Sequence, residues 1–169
     1  MSFLDEIESA IPGLRAYARA LLRDREAADD LVQDTLEAAI ARQDQWRGDG
    51  SLRGWLCRIL LNRFRDGLRR RRPAAVLALV PDAADLPAGR RAEDRLALTE
   101  VHAAMGQLPE DQRAALLLVA LEGMSLTEAA RTLGCAEGTL ASRLARGRAT
   151  LRQLTGREVV APRPGKAGD

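Results

Sequence analysis

The sequence from residue 125 to residue 151, SLTEAARTLGCAEGTLASRLARGRATL, predicts two helices separated by a tight turn. Ser125 followed by Glu128 forms the S-x-x-E pattern of a capping box, which starts a helix by satisfying its first backbone amides. Gly134 can adopt the left-handed conformation that ends this helix. A second helix then begins near Glu137, so the stretch has the layout of a helix-turn-helix.

The second helix of this pair, predicted over 137–154, carries a polar face opposite its leucines. Leu140, Leu144 and Leu151 are expected to face inward. The polar residues on the other side are three or four positions apart, which places them on one stripe. Such hydroxyl and guanidinium groups can reach phosphates and base edges in a DNA major groove, although a solvent-exposed face of an ordinary bundle helix is the alternative. The predicted DNA-contacting residues of this stripe are Thr139, Ser142, Arg143 and Arg146, and Arg148 is expected to extend the basic surface towards the DNA backbone.

Apolar residues recur with a helical period along most of the remaining chain. Ser51 is expected to cap one of the helices, and Pro73 is expected to stop it. Pro109 suits the first position of another helix, and Gly123 is expected to end it. The helices are predicted over 5–22, 25–42, 52–72, 92–106, 109–122 and 126–133.

The segment 73–91 contains three prolines and little periodicity, which is typical of a linker. It separates residues 1–72 from residues 92–156, and the tail 157–169 is expected to be disordered. The sequence therefore predicts an all-α fold. Two small helical domains are joined by a flexible linker, and the second domain contains the helix-turn-helix.

Charge is distributed unevenly, although the formal net charge is only +2. Residues 1–37 contain nine acidic residues and four arginines, whereas residues 63–72 contain six arginines and one aspartate. An acidic and a basic segment in one chain indicate two kinds of partner surface. On the helix predicted over 25–42, the acidic residues lie opposite an apolar face formed by Leu31, Val32, Leu36, Ala39 and Ile40.

Other features of the sequence exclude several classes of protein. No stretch is long and apolar enough for a membrane span, and the acidic N-terminus does not resemble a signal peptide, so we expect a cytoplasmic protein. Cys57 and Cys135 are predicted to be buried free thiols, and His102 to be structural. The sequence contains no phosphate-binding loop, catalytic nucleophile with a matched base, or metal-ligand spacing. We therefore expect no catalytic residues, no metal and no cofactor, and hence no enzyme.

Two long segments carry a resemblance to a known family. Residues 28–72, ADDLVQDTLEAAIARQDQWRGDGSLRGWLCRILLNRFRDGLRRRR, resemble domain two of the extracytoplasmic-function (ECF) sigma factors of bacterial RNA polymerase. Residues 108–151, LPEDQRAALLLVALEGMSLTEAARTLGCAEGTLASRLARGRATL, resemble domain four of the same family. The resemblance implies a protein that binds core RNA polymerase, recognises and melts promoter DNA, and is controlled by an anti-sigma factor.

The resemblance also implies roles for particular residues. The acidic helix would dock on core polymerase, and the basic segment would bind the −10 promoter element while the helix-turn-helix binds the −35 element. The core-polymerase-binding residues would be Asp29, Asp30, Leu31, Gln33 and Asp34. The −10 residues would be Trp46, Asn62, Arg63, Arg65, Arg69 and Arg70.

The same features allow other interpretations. The acidic helix can be a solvated face, and Trp55 and Phe64 are expected in the core. A sigma-like decoy that titrates an anti-sigma factor is a second hypothesis for the whole chain. A stand-alone helix-turn-helix regulator that binds duplex DNA as a homodimer is a third. We further expect the two domains to pack together in the free chain and to separate on polymerase.

Overall fold

The computed structural model describes residues 2–70 and 92–156, and these residues contain helices and no strands. This confirms the predicted all-α fold class. The predicted linker 73–91 and the tail 157–169 lie outside the described residues. The helices are α1 Phe3–Leu22, α2 Arg25–Ala41, α3 Leu52–Arg70, α4 Ala92–Gln107, α5 Glu110–Ala120, α6 Leu126–Leu133 and α7 Glu137–Thr155, with a 3₁₀ turn at Gln43–Gln45.

Side-chain caps explain where several helices begin. Ser2 and Asp5 form a reciprocal capping box at the start of α1. At α2 the Asp24 carboxylate accepts a hydrogen bond from the Ala27 amide at 3.0 Å. The predicted cap of α3 is confirmed, because the Ser51 hydroxyl accepts from the Gly54 amide at 3.0 Å. Each of these contacts satisfies an amide that has no partner within the helix.

Pro12 lies inside α1, as in the helix predicted over 5–22, and its ring removes one intrahelical hydrogen bond without ending the helix. Two local expectations for other helices differ from the structure. Pro109 is the N-cap of α5 and not its first helical residue. Ile40, predicted on the buried face of α2, is 47% exposed, although its neighbour Ala39 is fully buried.

One hydrophobic core extends through both groups of helices. α1 packs against α2 and α3 and also against α5, while α3 packs against α6. Helices α1–α3, here called the N-terminal domain, and α4–α7, the C-terminal domain, are therefore in direct contact. The largest fully buried side chains are Leu14, Tyr17, Leu21, Leu56, Leu60, Leu61, Leu118, Leu140 and Leu144.

Backbone carbonyls of each domain accept hydrogen bonds from the other. The Tyr17 hydroxyl on α1 donates to the Ala114 carbonyl on α5 at 3.3 Å. In the opposite direction the Arg113 guanidinium donates to the Leu21 carbonyl at 2.8 Å. Burial and the nearby charge of Arg23 lower the pKa of Arg113.

Among the described helices, none has the length and hydropathy needed to cross a bilayer.

Candidate nucleic-acid interface

The predicted helix-turn-helix is formed by α6 and α7. The Ser125 hydroxyl accepts from the Glu128 amide at 3.2 Å and so caps α6. Gly134 adopts a left-handed conformation with φ of 66°, as the turn requires. The Glu128 carboxylate does not complete the expected box, because it accepts instead from the Ser51 hydroxyl of the N-terminal domain.

The inward face of α7 agrees with the leucine pattern. Leu140, Leu144 and Leu151 are buried, as are Ala129 and Ala130 on α6, which packs against α7. This packing fixes which side of α7 faces away from the domain.

The outward face of α7 contains only part of the predicted stripe. Thr139, Ser142 and Arg146 are exposed, whereas Arg148 is half-buried. Arg143 pairs with Asp111 on α5 at 3.3 Å, and only 22% of its side chain is exposed. The structure thus places Arg143 at the edge of the face, held against α5.

Small residues occupy much of the exposed face of α7. Gly138, Ala141, Ser142 and Ala145 are all exposed. Short side chains let a helix approach a groove floor closely, and an alanine methyl can contact the methyl of thymine. Arg146 lies beside these residues and can reach a phosphate.

The basic part of α3 is accessible along one side. Asn62, Arg63, Arg69 and Arg70 are exposed and Arg65 is half-buried. Arg69 pairs loosely with Asp66 at 3.8 Å, and both side chains face solvent. An exposed ion pair of this kind contributes little stability, so these cations remain accessible to phosphates. Phe64 is in the core, as expected.

An aromatic cleft lies where the loop before α3 meets α6. The ring centroids of Trp46 and Trp55 are 5.6 Å apart, and both rings pack against the core. The cleft has a volume of about 500 Å³, and Arg58 and Arg131 line it from opposite domains. Aromatic faces beside arginines suit an unstacked base and its phosphate.

The acidic residues of α2 border a second groove. Asp30, Gln33 and Asp34 are exposed, as a docking surface requires. Asp29 pairs with Arg19 at 3.2 Å and is therefore partly engaged within the domain. Leu31 belongs to the core and reaches the surface only in the wall of the groove, whose volume is about 370 Å³.

Sequence reasoning missed the polar residues that join the domains. Arg53 in the first turn of α3 pairs with Glu122, which follows α5. Nothing in the spacing of two residues so far apart in the chain indicates this contact. A Cβ on Gly13 of α1 would overlap the Arg53 guanidinium, so this glycine leaves room for the arginine side chain.

The two cysteines and the histidine differ in burial. Cys57 and Cys135 are free, Cys57 being buried and Cys135, contrary to expectation, only half-buried. Burial raises the pKa of the Cys57 thiol, which keeps it protonated and unreactive. His102 is half-buried. Within residues 2–70 and 92–156, no cluster of histidine, cysteine, aspartate and glutamate could hold a metal ion.

Two family models match this chain, one in each domain. Residues 7–61 match the Sigma2 domain of PhyR. Residues 98–151 match region 4 of sigma-70. The second match contains α6 and all but the last four residues of α7, and the first extends from α1 into α3.

Relatives match over nearly the whole chain. The ECF RNA polymerase sigma factor EcfG of Rhodopseudomonas palustris is 41% identical over 90% of this chain and 84% of the relative. The ECF RNA polymerase sigma factor SigM of Mycobacterium tuberculosis is 41% identical over 85% of this chain and 71% of the relative. Among solved structures, the sigma factor RpoE of Bartonella quintana, in complex with the anti-sigma factor NepR, superposes with a TM-score of 0.78 at 35% identity. That match covers 93% of this chain and 98% of RpoE.

Proposed function

The chain belongs to the ECF sigma factors of bacterial RNA polymerase, and we propose that it directs core polymerase to a set of promoters and opens the DNA there. The observation that carries this proposal is the presence, in family order, of both domain matches in one helical chain. The exposed basic end of α3 and the exposed face of α7 supply two separate DNA-binding surfaces.

The proposed functions of the two domains follow the domain boundaries predicted from the sequence. Residues 1–72 would bind core polymerase and the −10 element, and residues 92–156 would bind the −35 element. Residues 73–91 would connect the two domains, with 157–169 as a tail. Such a division lets one chain bind two promoter elements at once, so that each contact raises the effective concentration of the other.

The acidic side of α2 is the proposed contact with core polymerase. Asp30, Gln33 and Asp34 are accessible there, with Asp29 at the edge of the same surface. Leu31 would contribute through the apolar wall of the adjoining groove. Carboxylates around an apolar floor are complementary to a helix that presents both apolar and basic side chains.

The basic end of α3 and the aromatic cleft are the proposed −10 surface. Arg63, Arg65, Arg69 and Arg70 would neutralise phosphates, and Asn62 could hydrogen-bond a base edge. Trp46 would stack on an unpaired base. Binding of this kind depends strongly on salt because phosphate contacts release counterions.

The helix-turn-helix is the proposed −35 surface. Thr139, Ser142 and Arg146 are positioned to enter the major groove from α7. Arg143 requires release from Asp111 before its guanidinium can reach a phosphate. Arg148, being half-buried, would contact the DNA backbone only at the margin of the interface.

We also propose that an anti-sigma factor controls this chain. The support is its likeness to RpoE, whose structure contains the anti-sigma factor NepR. In this proposal the chain gives polymerase its promoter specificity and has no catalytic site of its own. Because polymerase and the chromosome are its partners, it would act in the cytoplasm.

In vitro transcription tests this proposal directly. Core RNA polymerase is incubated with genomic DNA fragments from the source bacterium, with and without the purified chain, and the 5′ ends of the transcripts are mapped. We expect new start sites that share upstream elements, together with unpaired bases near those sites. Transcripts unchanged by the chain would contradict the proposal.

A sigma-like decoy is a second candidate function. The match over residues 7–61 is to a domain of PhyR, and PhyR is an anti-anti-sigma factor in its structure with NepR. A decoy would bind an anti-sigma factor without opening promoters. The accessible arginines of α3 and α7 favour the sigma factor over the decoy, because a decoy needs no phosphate contacts. The transcription experiment separates the two, since only the sigma factor produces new start sites.

A further inference from the structure

Gly67 lies inside α3, and the fold gives no reason for a glycine there. A glycine in the interior of a helix is destabilising relative to alanine, because it loses more backbone freedom on folding. Gly67 has a helical backbone and not the left-handed conformation that favours glycine. A Cβ on it would meet no atom within 4 Å outside its own stretch of α3. Neither a turn nor close packing among the described residues therefore requires glycine at this position.

The other glycines inside the described helices show what packing does explain. Four of them would place a Cβ within 3.0 Å of a side-chain atom: Gly13, Gly54, Gly106 and Gly147. A Cβ on Gly138 of α7, like one on Gly67, would face open space. Gly138 is exposed on the proposed DNA-binding face. Packing thus leaves two helix glycines unexplained, and one of them already lies on a proposed binding surface.

Gly67 lines the groove beside the acidic residues of α2. This groove has a volume of about 370 Å³, and Leu31, Phe64 and Leu68 supply apolar parts of its wall. Residues 64, 67 and 68 share one face of α3, because they are three or four positions apart. Phe64 is buried, whereas Leu68 is 38% exposed. The missing side chain of Gly67 therefore widens the groove next to two apolar side chains.

The charges around the groove favour a protein helix over a nucleic acid as its occupant. Its lining contains four acidic residues and one basic residue, namely Asp24, Glu26, Asp30 and Asp34, with Arg63. Carboxylates repel the phosphates of a nucleic acid. An apolar wall with mainly acidic neighbours is complementary to a helix that carries an apolar side chain flanked by basic ones.

We propose that Gly67 is a contact position for core polymerase: an apolar side chain from a basic helix of the polymerase packs over the Gly67 backbone, against Phe64 and Leu68. This inference rests on the proposed function, because the groove adjoins the proposed polymerase contact on α2. It extends that contact to the C-terminal half of α3. The glycine weakens the helix and in return lets a partner approach its backbone closely.

Substitutions at Gly67 separate binding from stability. Gly67→Ala should raise the midpoint temperature of unfolding, because alanine favours the helix. It should weaken binding to core polymerase about tenfold, because its methyl takes space that the partner's side chain occupies. Gly67→Leu also favours the helix but fills more of the groove, so it should weaken binding further. A loss of binding in a stabilised chain does not come from damage to the fold.

The matched control is Ser9→Ala, which also favours a helix, at an exposed position of α1 outside the groove. Its affinity for core polymerase should equal that of the parent chain. Salt supplies a second check, because exposed charge pairs are screened by salt whereas apolar packing is not. The ratio of the affinities of the parent chain and Gly67→Ala should therefore be the same at low and high salt.

Fluorescence anisotropy of the labelled full-length chain, titrated with bacterial core RNA polymerase without DNA, measures these affinities. Thermal unfolding of the same samples measures their stability. The inference is overturned if both Gly67 variants bind core polymerase as tightly as Ser9→Ala. It is also overturned if the alanine and leucine variants lose equal affinity, since that result would mean that backbone freedom matters and space does not.

The parent chain distinguishes these results from failure of the proposed function. A parent chain that does not bind core polymerase overturns the proposed function, and the inference fails with it. A parent chain that binds, while its Gly67 variants bind equally well, leaves the proposed function intact and overturns only the contact at Gly67.

Discussion

The hydroxyl of Tyr17 on α1 donates a hydrogen bond to the carbonyl oxygen of Ala114 on α5 at 3.3 Å. Tyr17 is the single tyrosine of the chain and is completely buried at the contact between the domains. Burial raises its pKa well above the ordinary value of 10.0. The stability of the folded chain is therefore linked to the protonation of the Tyr17 hydroxyl, which can be followed by absorbance.

We predict that the free energy of unfolding falls in alkaline solution. A group with a raised pKa in the folded state contributes stability that is fully present below its unfolded pKa and is lost as pH rises towards its folded pKa. The loss should begin near pH 9.0, the ordinary pKa of the Cys57 thiol, whose pKa burial also raises. It should continue above pH 10.0 as unfolded molecules ionise at Tyr17.

Thermal unfolding at a series of pH values, with tyrosinate absorbance recorded in parallel, checks this prediction. Tyrosinate should form together with loss of helix and not before it. Tyr17→Phe should reduce the alkaline loss and leave the part that belongs to Cys57. Titration of the tyrosine near pH 10.0 in a chain that stays folded would contradict the prediction.

A second prediction concerns Gly67, which lies inside the basic helix α3. A Cβ at this position would have no atom within 4 Å. Gly67→Ala should therefore stabilise the chain by about 0.5–1 kcal/mol, because alanine loses less backbone entropy in a helix. Thermal unfolding should show a rise of roughly 1–4 °C in the midpoint temperature. Gly13→Ala makes the same chemical change where the new methyl would meet the Arg53 guanidinium, so we expect a smaller gain there, and a loss of stability in Gly67→Ala would contradict the prediction.

A third prediction concerns Asp111, which holds Arg143 of α7 at 3.3 Å. Asp111→Asn should free the guanidinium for a phosphate and increase affinity for duplex DNA. The slope of log affinity against log salt should steepen by about one unit, as expected for one added phosphate contact. Fluorescence anisotropy with a mixed-sequence duplex at several salt concentrations measures both quantities.

The control for this variant is Glu8→Gln, which removes one negative charge far from α7 in sequence. Its affinity should rise less than that of Asp111→Asn, and its salt slope should not change. A loss of affinity in Asp111→Asn would contradict the prediction and would mean that Asp111 orients Arg143 towards DNA.

Local patterns predicted most of the helices because local forces determine them. Ser51, Ser125 and Gly134 act through neighbours within a few residues, so their roles at helix ends can be inferred from the chain alone. The leucines of α7 likewise identify its buried side. The exposure of Ile40 was not predictable from the period of α2, because the period identifies one face of the helix and not which residues of that face a neighbouring helix covers.

Contacts between residues far apart in the chain could not be predicted from the sequence. Glu128 has the right spacing for a reciprocal cap with Ser125, yet its carboxylate binds Ser51 because the packing of α6 on α3 brings that hydroxyl closer. Arg143 has the right spacing for the DNA-binding stripe, but its guanidinium pairs with Asp111 on α5. In both cases a partner distant in sequence determines where a side chain points.

Binding of the purified chain to bacterial core RNA polymerase tests the central claim most directly. The comparison variant carries Asp30→Arg and Asp34→Arg, which reverse two exposed charges on α2, and Glu8→Arg controls for charge reversal elsewhere. The account predicts tight binding by the parent chain and by Glu8→Arg, and loss of binding in the double variant. Absence of binding by the folded parent chain, or equal binding by the double variant, would contradict it.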